Sequence, residues 1–397
     1  MRWLRRKDRK AKADRPRRLL GWALVLGLLF GVTGAGEYPE DRLRVVRNHI
    51  NERPVSGDIV LVGIDEKSVR EVGRWPWPRG RYAQLVDAIE AAGPGQQVHD
   101  IMFPERSDPV QDRLLADAVG RSGEITLAYL PRVGAQEGRQ EGLKPLPEIA
   151  GQAKLGTIGL WYNYANEAWQ LPQAHRQGSE LVPSFAMVLA GRTPSSDDSF
   201  RVNYAFAPRT VPLFSAADIL AGRVDRSKLA GKTVVVGTTT GRLGDRFMIP
   251  GWGKESGVYI HILGAETLKA GRPLDLGWVP AFLFAAALAV LVIGRSGRTQ
   301  AAGLAGGLAM LLAAPLLLER MQIFADITPG MFIIVWLGSG LLLQMARRRG
   351  LTNAVSGLPN LVAFRKATHE RDRPLVVARV INFPQIVSTL SLANERS

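Results

Sequence analysis

The chain has 397 residues, enough for two or three domains, and no cysteine, which excludes disulfides, thiolate metal sites and a cysteine nucleophile. Its formal charge is +15, yet residues 36–275 are balanced at 29 basic and 29 acidic side chains, while residues 1–18 carry +8 and residues 276–397 carry +7. A basic excess that flanks apolar runs instead of covering a folded domain argues against a nucleic-acid partner.

Four runs, 19–35, 276–294, 301–318 and 327–346, are apolar enough to span a bilayer, which takes roughly 20 residues. Ten basic residues from Arg2 to Arg18 precede the first run, Arg295 and Arg298 lie between the second and third, and Arg347, Arg348 and Arg349 follow the fourth. If every run spans, the three clusters share one side, which the positive-inside rule makes the cytoplasm. The expected topology is therefore a multi-pass protein of the inner (plasma) membrane. Residues 1–18 form a basic cytoplasmic tail, 36–275 are exported, the short connection 319–326 is also outside, and 347–397 return to the cytoplasm. Two alternatives stay open. Thr33-Gly34-Ala35 is small-x-small and suits a cleaved signal peptide, and the last three runs would also suit a buried helical bundle. Pro315 and Pro329 kink a span or mark its end without defeating it.

Within the exported section the pattern alternates. Strands are expected at 58–64, 97–103, 124–130 and 232–237, and helices at 80–92, 109–119, 183–190, 215–221 and 258–270. This alternation predicts an α/β domain with a largely parallel sheet. The stretch 134–178, rich in Gly, Pro and aromatics, reads as hairpins or an excursion from the sheet. Between the first strand and first helix lies Gly73-Arg74-Trp75-Pro76-Trp77-Pro78-Arg79, where proline removes donors and holds Trp75 and Trp77 extended. It is a rigid aromatic loop.

An exported domain with one span before it and three after resembles the CHASE-type extracellular sensor domain of the second type. The resemblance rests on a series of landmarks in order. They are Val62-Gly63-Ile64-Asp65, the tryptophan-proline run, Asp100-Ile101-Met102-Phe103 with Glu105, Pro183-Ser184, Arg201-Val202-Asn203-Tyr204, 229–237, Gly244-Asp245 and Gly257-Val258-Tyr259-Ile260-His261. It implies a receptor for an extracellular or periplasmic ligand.

Candidate ligand-binding residues are Asp65, Trp75, Trp77, Arg79, Asp100 and Asp245. Asp65 and Asp100 end predicted strands, where ligands of parallel sheets bind, although capping of the following helix explains Asp65 equally. Trp75, Trp77 and Arg79 suit a ligand clamp or a buried loop that holds the first helix on the sheet. The glycine-rich loop from Gly237 to Asp245 follows a strand but lacks the lysine and threonine order of a phosphate loop. The five histidines show no metal-ligand spacing, so no metal or cofactor is expected and no catalytic residue is assigned.

Ser356-Gly357-Leu358-Pro359-Asn360 with Phe364 resembles the opening of a GGDEF domain, the cyclase fold of cyclic di-GMP signalling. Asn353 stands where that family has Asp, and Leu361 where it has Arg. The family's two metal-binding aspartates, anchored on Phe383, correspond to Arg379 and Ile381. Arginine does not ligate Mg²⁺, so the segment is expected to be a degenerate GGDEF start, of the kind that precedes an EAL phosphodiesterase domain beyond Ser397. The expected function is a membrane receptor that relays an outside cue to such an output, with the bilayer and an unknown ligand as partners and a homodimer as a candidate assembly. The other readings are a stand-alone membrane sensor acting through a partner, and an exported enzyme using Asp65, Asp100 and Asp245.

Overall fold

A computed structural model describes residues 18–73, 75–131, 142–241 and 246–349. The expected GGDEF start, Asp245 and Arg74 lie outside them. The described chain divides into two compact units, Glu37–Gly277 with Leu312–Asp326, and the remaining apolar helices.

In chain order the helices are α1 (Arg18–Val32), α2 (Glu37–Ile50), α3 (Glu66–Val72), α4 (Arg79–Glu90), α5 (Pro109–Arg121), α6 (Pro147–Ala150), α7 (Phe185–Leu189), α8 (Ala216–Leu220), α9 (Gly257–Ala270), α10 (Val279–Val292), α11 (Gly297–Leu318) and α12 (Thr328–Arg349). The strands are β1 (Ile59–Ile64), β2 (Gln96–His99), β3 (Ile125–Tyr129), β4 (Lys154–Thr157), β5 (Gln170–Pro172), β6 (Ala174–Gln177), β7 (Glu180–Pro183), β8 (Ser199–Arg201), β9 (Leu213–Ser215), β10 (Thr233–Thr238), β11 (Arg246–Ile249), β12 (Gly253–Ser256), β13 (Leu274–Asp275) and β14 (Ile323–Phe324).

The larger unit is built on a six-stranded sheet, β4-β3-β2-β10-β1-β9, in which every neighbouring pair is parallel. Its central strands are buried on both faces, hence their unbroken apolar sequences at Ile59–Ile64 and Thr233–Thr238. Val60, Val62, Ile64, Val234 and Val236 pack with α4, α5 and α8 on one face. Ile59, Leu61, Val98 and Val235 pack with α7 and α9 on the other. Helix α9 is apolar nearly all round because a second layer, with Trp169, Leu171, Phe200, Val202 and Tyr204, covers its outer side.

Two expectations need correction. Residues 134–178 are not wholly an excursion, because Lys154–Thr157 adds the edge strand β4 beside β3. The strand expected at 97–103 stops at His99, so Asp100 stands beyond the ladder.

Helix α2 is held by charge. Arg44, only 1 % exposed, donates to Asp326 (2.7 Å) and Glu319 (3.3 Å), and Arg47 donates to Glu40 (2.7 Å) and Glu319 (2.9 Å). Arg201 pairs with Asp275 at 2.7 Å, and the Asn203 amide donates to the Glu319 carbonyl. β13 and β14 join in a short parallel bridge, with Leu274 N–H donating to Gln322 O and Leu276 N–H to Phe324 O, both at 2.8 Å. The turn between α11 and α12 is thus folded into the sheet-bearing unit.

In the other unit, Phe30 stacks on Phe332 at 5.2 Å, and the Thr328 hydroxyl donates to Gly36 O at 3.0 Å. Gly330 lies so close to the Ala281 carbonyl that a Cβ would come within 2.5 Å, the small-residue approach common between membrane helices. Among the described residues only α11 is long and apolar enough by itself to cross a membrane. The helices α1 and α2 meet that test only when taken together, and α10 and the apolar part of α12 are shorter.

Candidate functional site

The helices following β1, β2 and β9 cover one face of the sheet, whereas α9, which follows β10 by way of the β11–β12 hairpin, covers the other. A crevice therefore opens over the C-terminal ends of β2 and β10, where parallel α/β sheets bind ligands. A cavity of about 980 Å³ occupies it, lined by Trp75 to Arg79, Asp100 to Phe103, Ile158 to Leu160, Tyr162, Phe247 and His261 among others.

Asp100 owes its direction to the pleat. Val98 pairs with Val235 and packs beneath α9, so two residues on, past the ladder's end, Asp100 shares that side. Its N–H donates to Val236 O at 2.8 Å. Its carboxyl has no hydrogen bond or ion pair among the described residues, and burial pushes it up to about 7. His261, on the second turn of α9, is 2 % exposed, with its ring 5.6 Å from Phe185. Its Nδ1 has no partner, and burial lowers it to about 4, which leaves the imidazole neutral. Gly237 at the end of β10 lets α9 lie this close, since a Cβ there would meet Val258 at 3.1 Å.

The aromatic loop supplies the opposite wall, and the Trp75–Pro76 peptide in it is cis. Trp77 is 4 % exposed, packs on Tyr82 and donates its indole N–H to Gly73 O at 3.0 Å. Arg79 pairs with the Asp112 carboxylate and donates to the Glu105 carbonyl. Both side chains are committed to holding α4 and α5 in place. Trp75 is half-buried, edge-on to Trp77 and Tyr82, and is the member of the trio with surface to offer a ligand.

Asp65 does not share this cavity. It caps α3, accepting from Ser68 N–H (2.8 Å), Ser68 Oγ (2.7 Å) and Ser215 Oγ (2.8 Å), and so ties α3 to the end of β9. It lines a separate cavity of about 430 Å³ with Lys67, Arg70 and Arg246. Asp65 and Asp100 are therefore not a carboxylate pair, and Asp245 lies outside the described residues.

Sequence reasoning missed His261 and the stacked Tyr162–Phe247 pair, whose rings are 5.6 Å apart. His261 was visible only as the last residue of a landmark, and no periodicity joins Tyr162 to Phe247. Among the described residues no three His, Asp or Glu side chains are placed to hold a metal ion.

A parallel α/β domain with a cavity of mixed polar and aromatic lining at its strand ends is the arrangement of a ligand-binding domain. The CHASE2 domain family matches residues 22–295, and the chain belongs to that family of extracellular sensor domains. No match was found among curated proteins or among solved structures.

Proposed function

We propose that this chain is a multi-pass inner-membrane receptor whose exported domain takes up a small-molecule cue in the cavity at Asp100. In this reading the change passes through α2 and the α11–α12 turn to a cyclic di-GMP output module that begins in 351–397. The observation that carries it is the buried ion network of Arg44, Arg47, Glu40, Glu319 and Asp326. It makes the α11–α12 turn part of the domain's fold, so domain and turn belong on one side of any membrane. The positive-inside rule asks for the same arrangement from the arginine clusters alone. Exposed Trp22, Leu29, Leu283, Leu291, Leu317 and Leu342 on α1 and α10–α12 give these helices lipid-suited surfaces.

The topology is tested with alkaline phosphatase and fluorescent-protein fusions after Gly36, Ser296, Ala325 and Gly350. Phosphatase activity is expected at 36 and 325 and fluorescence at 296 and 350, and the reverse pattern at any one site removes the arrangement. The cue site is tested by thermal-shift screening of the full chain against a compound library. Stabilising hits are expected to vanish when Met102→Trp blocks the cavity mouth, where Met102 is exposed. Hits that survive that change place the cue elsewhere.

A further inference from the structure

The geometry points to a small organic cation, a protonated or quaternary amine on an apolar body, as the ligand of this cavity. Asp100 is its counter-charge, and Trp75 with the Tyr162–Phe247 pair is its wall. The inference rests on the sensor reading above and names the chemical class of the cue.

Among the described residues around the cavity the cations are already matched, Arg79 by Asp112 and Arg106 by Glu148 at 2.6 Å. Asp108 is occupied as the cap of α5, accepting from the N–H groups of Val110 and Gln111. What remains unmatched among these residues is acidic. Asp100 has no cationic partner among the described residues, and Glu105 sits exposed at the rim. His261 lines the same space as a neutral imidazole and so adds no competing positive charge.

The walls agree with the charge. Trp75, Tyr162 and Phe247 line the cavity, and a cation within about 6 Å of an aromatic ring face gains about 0.5–2 kcal/mol. The volume of about 980 Å³ accommodates a drug-sized molecule. One feature favours the opposite sign, because the N-terminus of α9 opens on the cavity at Ser256 and Gly257, and Ser256 makes no side-chain cap. A helix end carries about half an elementary charge, whereas an ionised Asp100 carries a whole one. The carboxylate decides.

The test uses the full chain in lipid nanodiscs, with phenethylamine and tetramethylammonium as probes and phenylacetate as the anionic isostere, read by calorimetry and tryptophan fluorescence. The amines are expected to bind at least tenfold tighter than phenylacetate, and about tenfold tighter at pH 8 than at pH 6, because only the ionised fraction of Asp100 is competent. Asp100→Asn is expected to remove that preference and its pH dependence, while Asp100→Glu keeps both. Phenylacetate binding as well as the amines, amine binding untouched by Asp100→Asn, or no binding of any probe to folded protein overturns the assignment. Anionic library hits that Met102→Trp abolishes overturn the amine class alone and leave the sensor reading intact. Hits indifferent to Met102→Trp remove both.

Discussion

Asp100 stands past the end of β2 with nothing cationic beside it among the described residues, and desolvation lifts its carboxyl from an ordinary 3.8 to about 7. The stability linked to this group is whole below the unfolded value and is lost as pH rises through the folded one. His99 and His261 act in the opposite direction. Burial lowers both from 6.5 to about 4, so their stability is present above 6.5 and is lost as pH falls toward 4. Below 6.5 two histidines outweigh one aspartate, and the combined contribution of these three groups is greatest at about pH 6.5–7. A melting-temperature profile of the full chain tests this. Asp100→Asn should raise stability at pH 8 by on the order of 1–3 kcal/mol, one pKa unit being about 1.4 kcal/mol, and change little near pH 4. A profile that is unchanged at pH 8 removes the claim that Asp100 is charged against its surroundings.

At the scale of elements, α2 shows why part of the fold was illegible in the sequence. Its inward positions Glu40, Arg44 and Arg47 follow helical spacing, i, i+4 and i+7, but the stripe they make is charged. A search for apolar periodicity reads such a segment as loop. The central strands β1 and β10 were legible for the converse reason, since burial on both faces leaves them no polar position. β4 was missed because four residues with lysine at their head carry no pattern, and the partner β3 supplies what the sequence does not. In the site, Asp100 could be read from its place at a strand end, whereas its separation from Asp65 is a property of the sheet order. The network around α2 also makes a mutational prediction. Arg47→Met should cost about 3 kcal/mol in chemical denaturation, as expected when one partner of a buried pair is removed. Joint replacement of Arg47 and Glu40 by apolar residues should cost less. A joint cost equal to the sum of the two single changes would show that the pair is not coupled.

At the scale of the molecule, the sensor domain is discontinuous in sequence, because Leu312–Asp326 belongs with Glu37–Gly277. A fragment ending at Asp275 keeps the whole parallel sheet but loses Glu319 and Asp326, and with them the acidic partners of Arg44 other than Glu40. Such a fragment is expected to melt well below a version in which 312–326 is joined after Gly277 through a flexible linker. Equal melting temperatures would show that the turn only rests on the domain. The helices themselves were visible in the sequence as apolar runs, but their lengths were not. α10 has 14 residues, about 21 Å at 1.5 Å each, short of a hydrocarbon core of about 30 Å. The residues flanking it must complete any span.

The bridge between β13 and β14 has a mechanical consequence. Chain about to leave the domain at Asp275 and chain within its second segment at Ile323 are fastened to each other by two backbone hydrogen bonds that run crosswise between neighbouring strands. Sliding one strand lengthwise past the other breaks both bonds at once, whereas tilting the pair together keeps both. The bridge therefore resists lengthwise shear between Asp275 and Phe324 and tolerates their joint tilt.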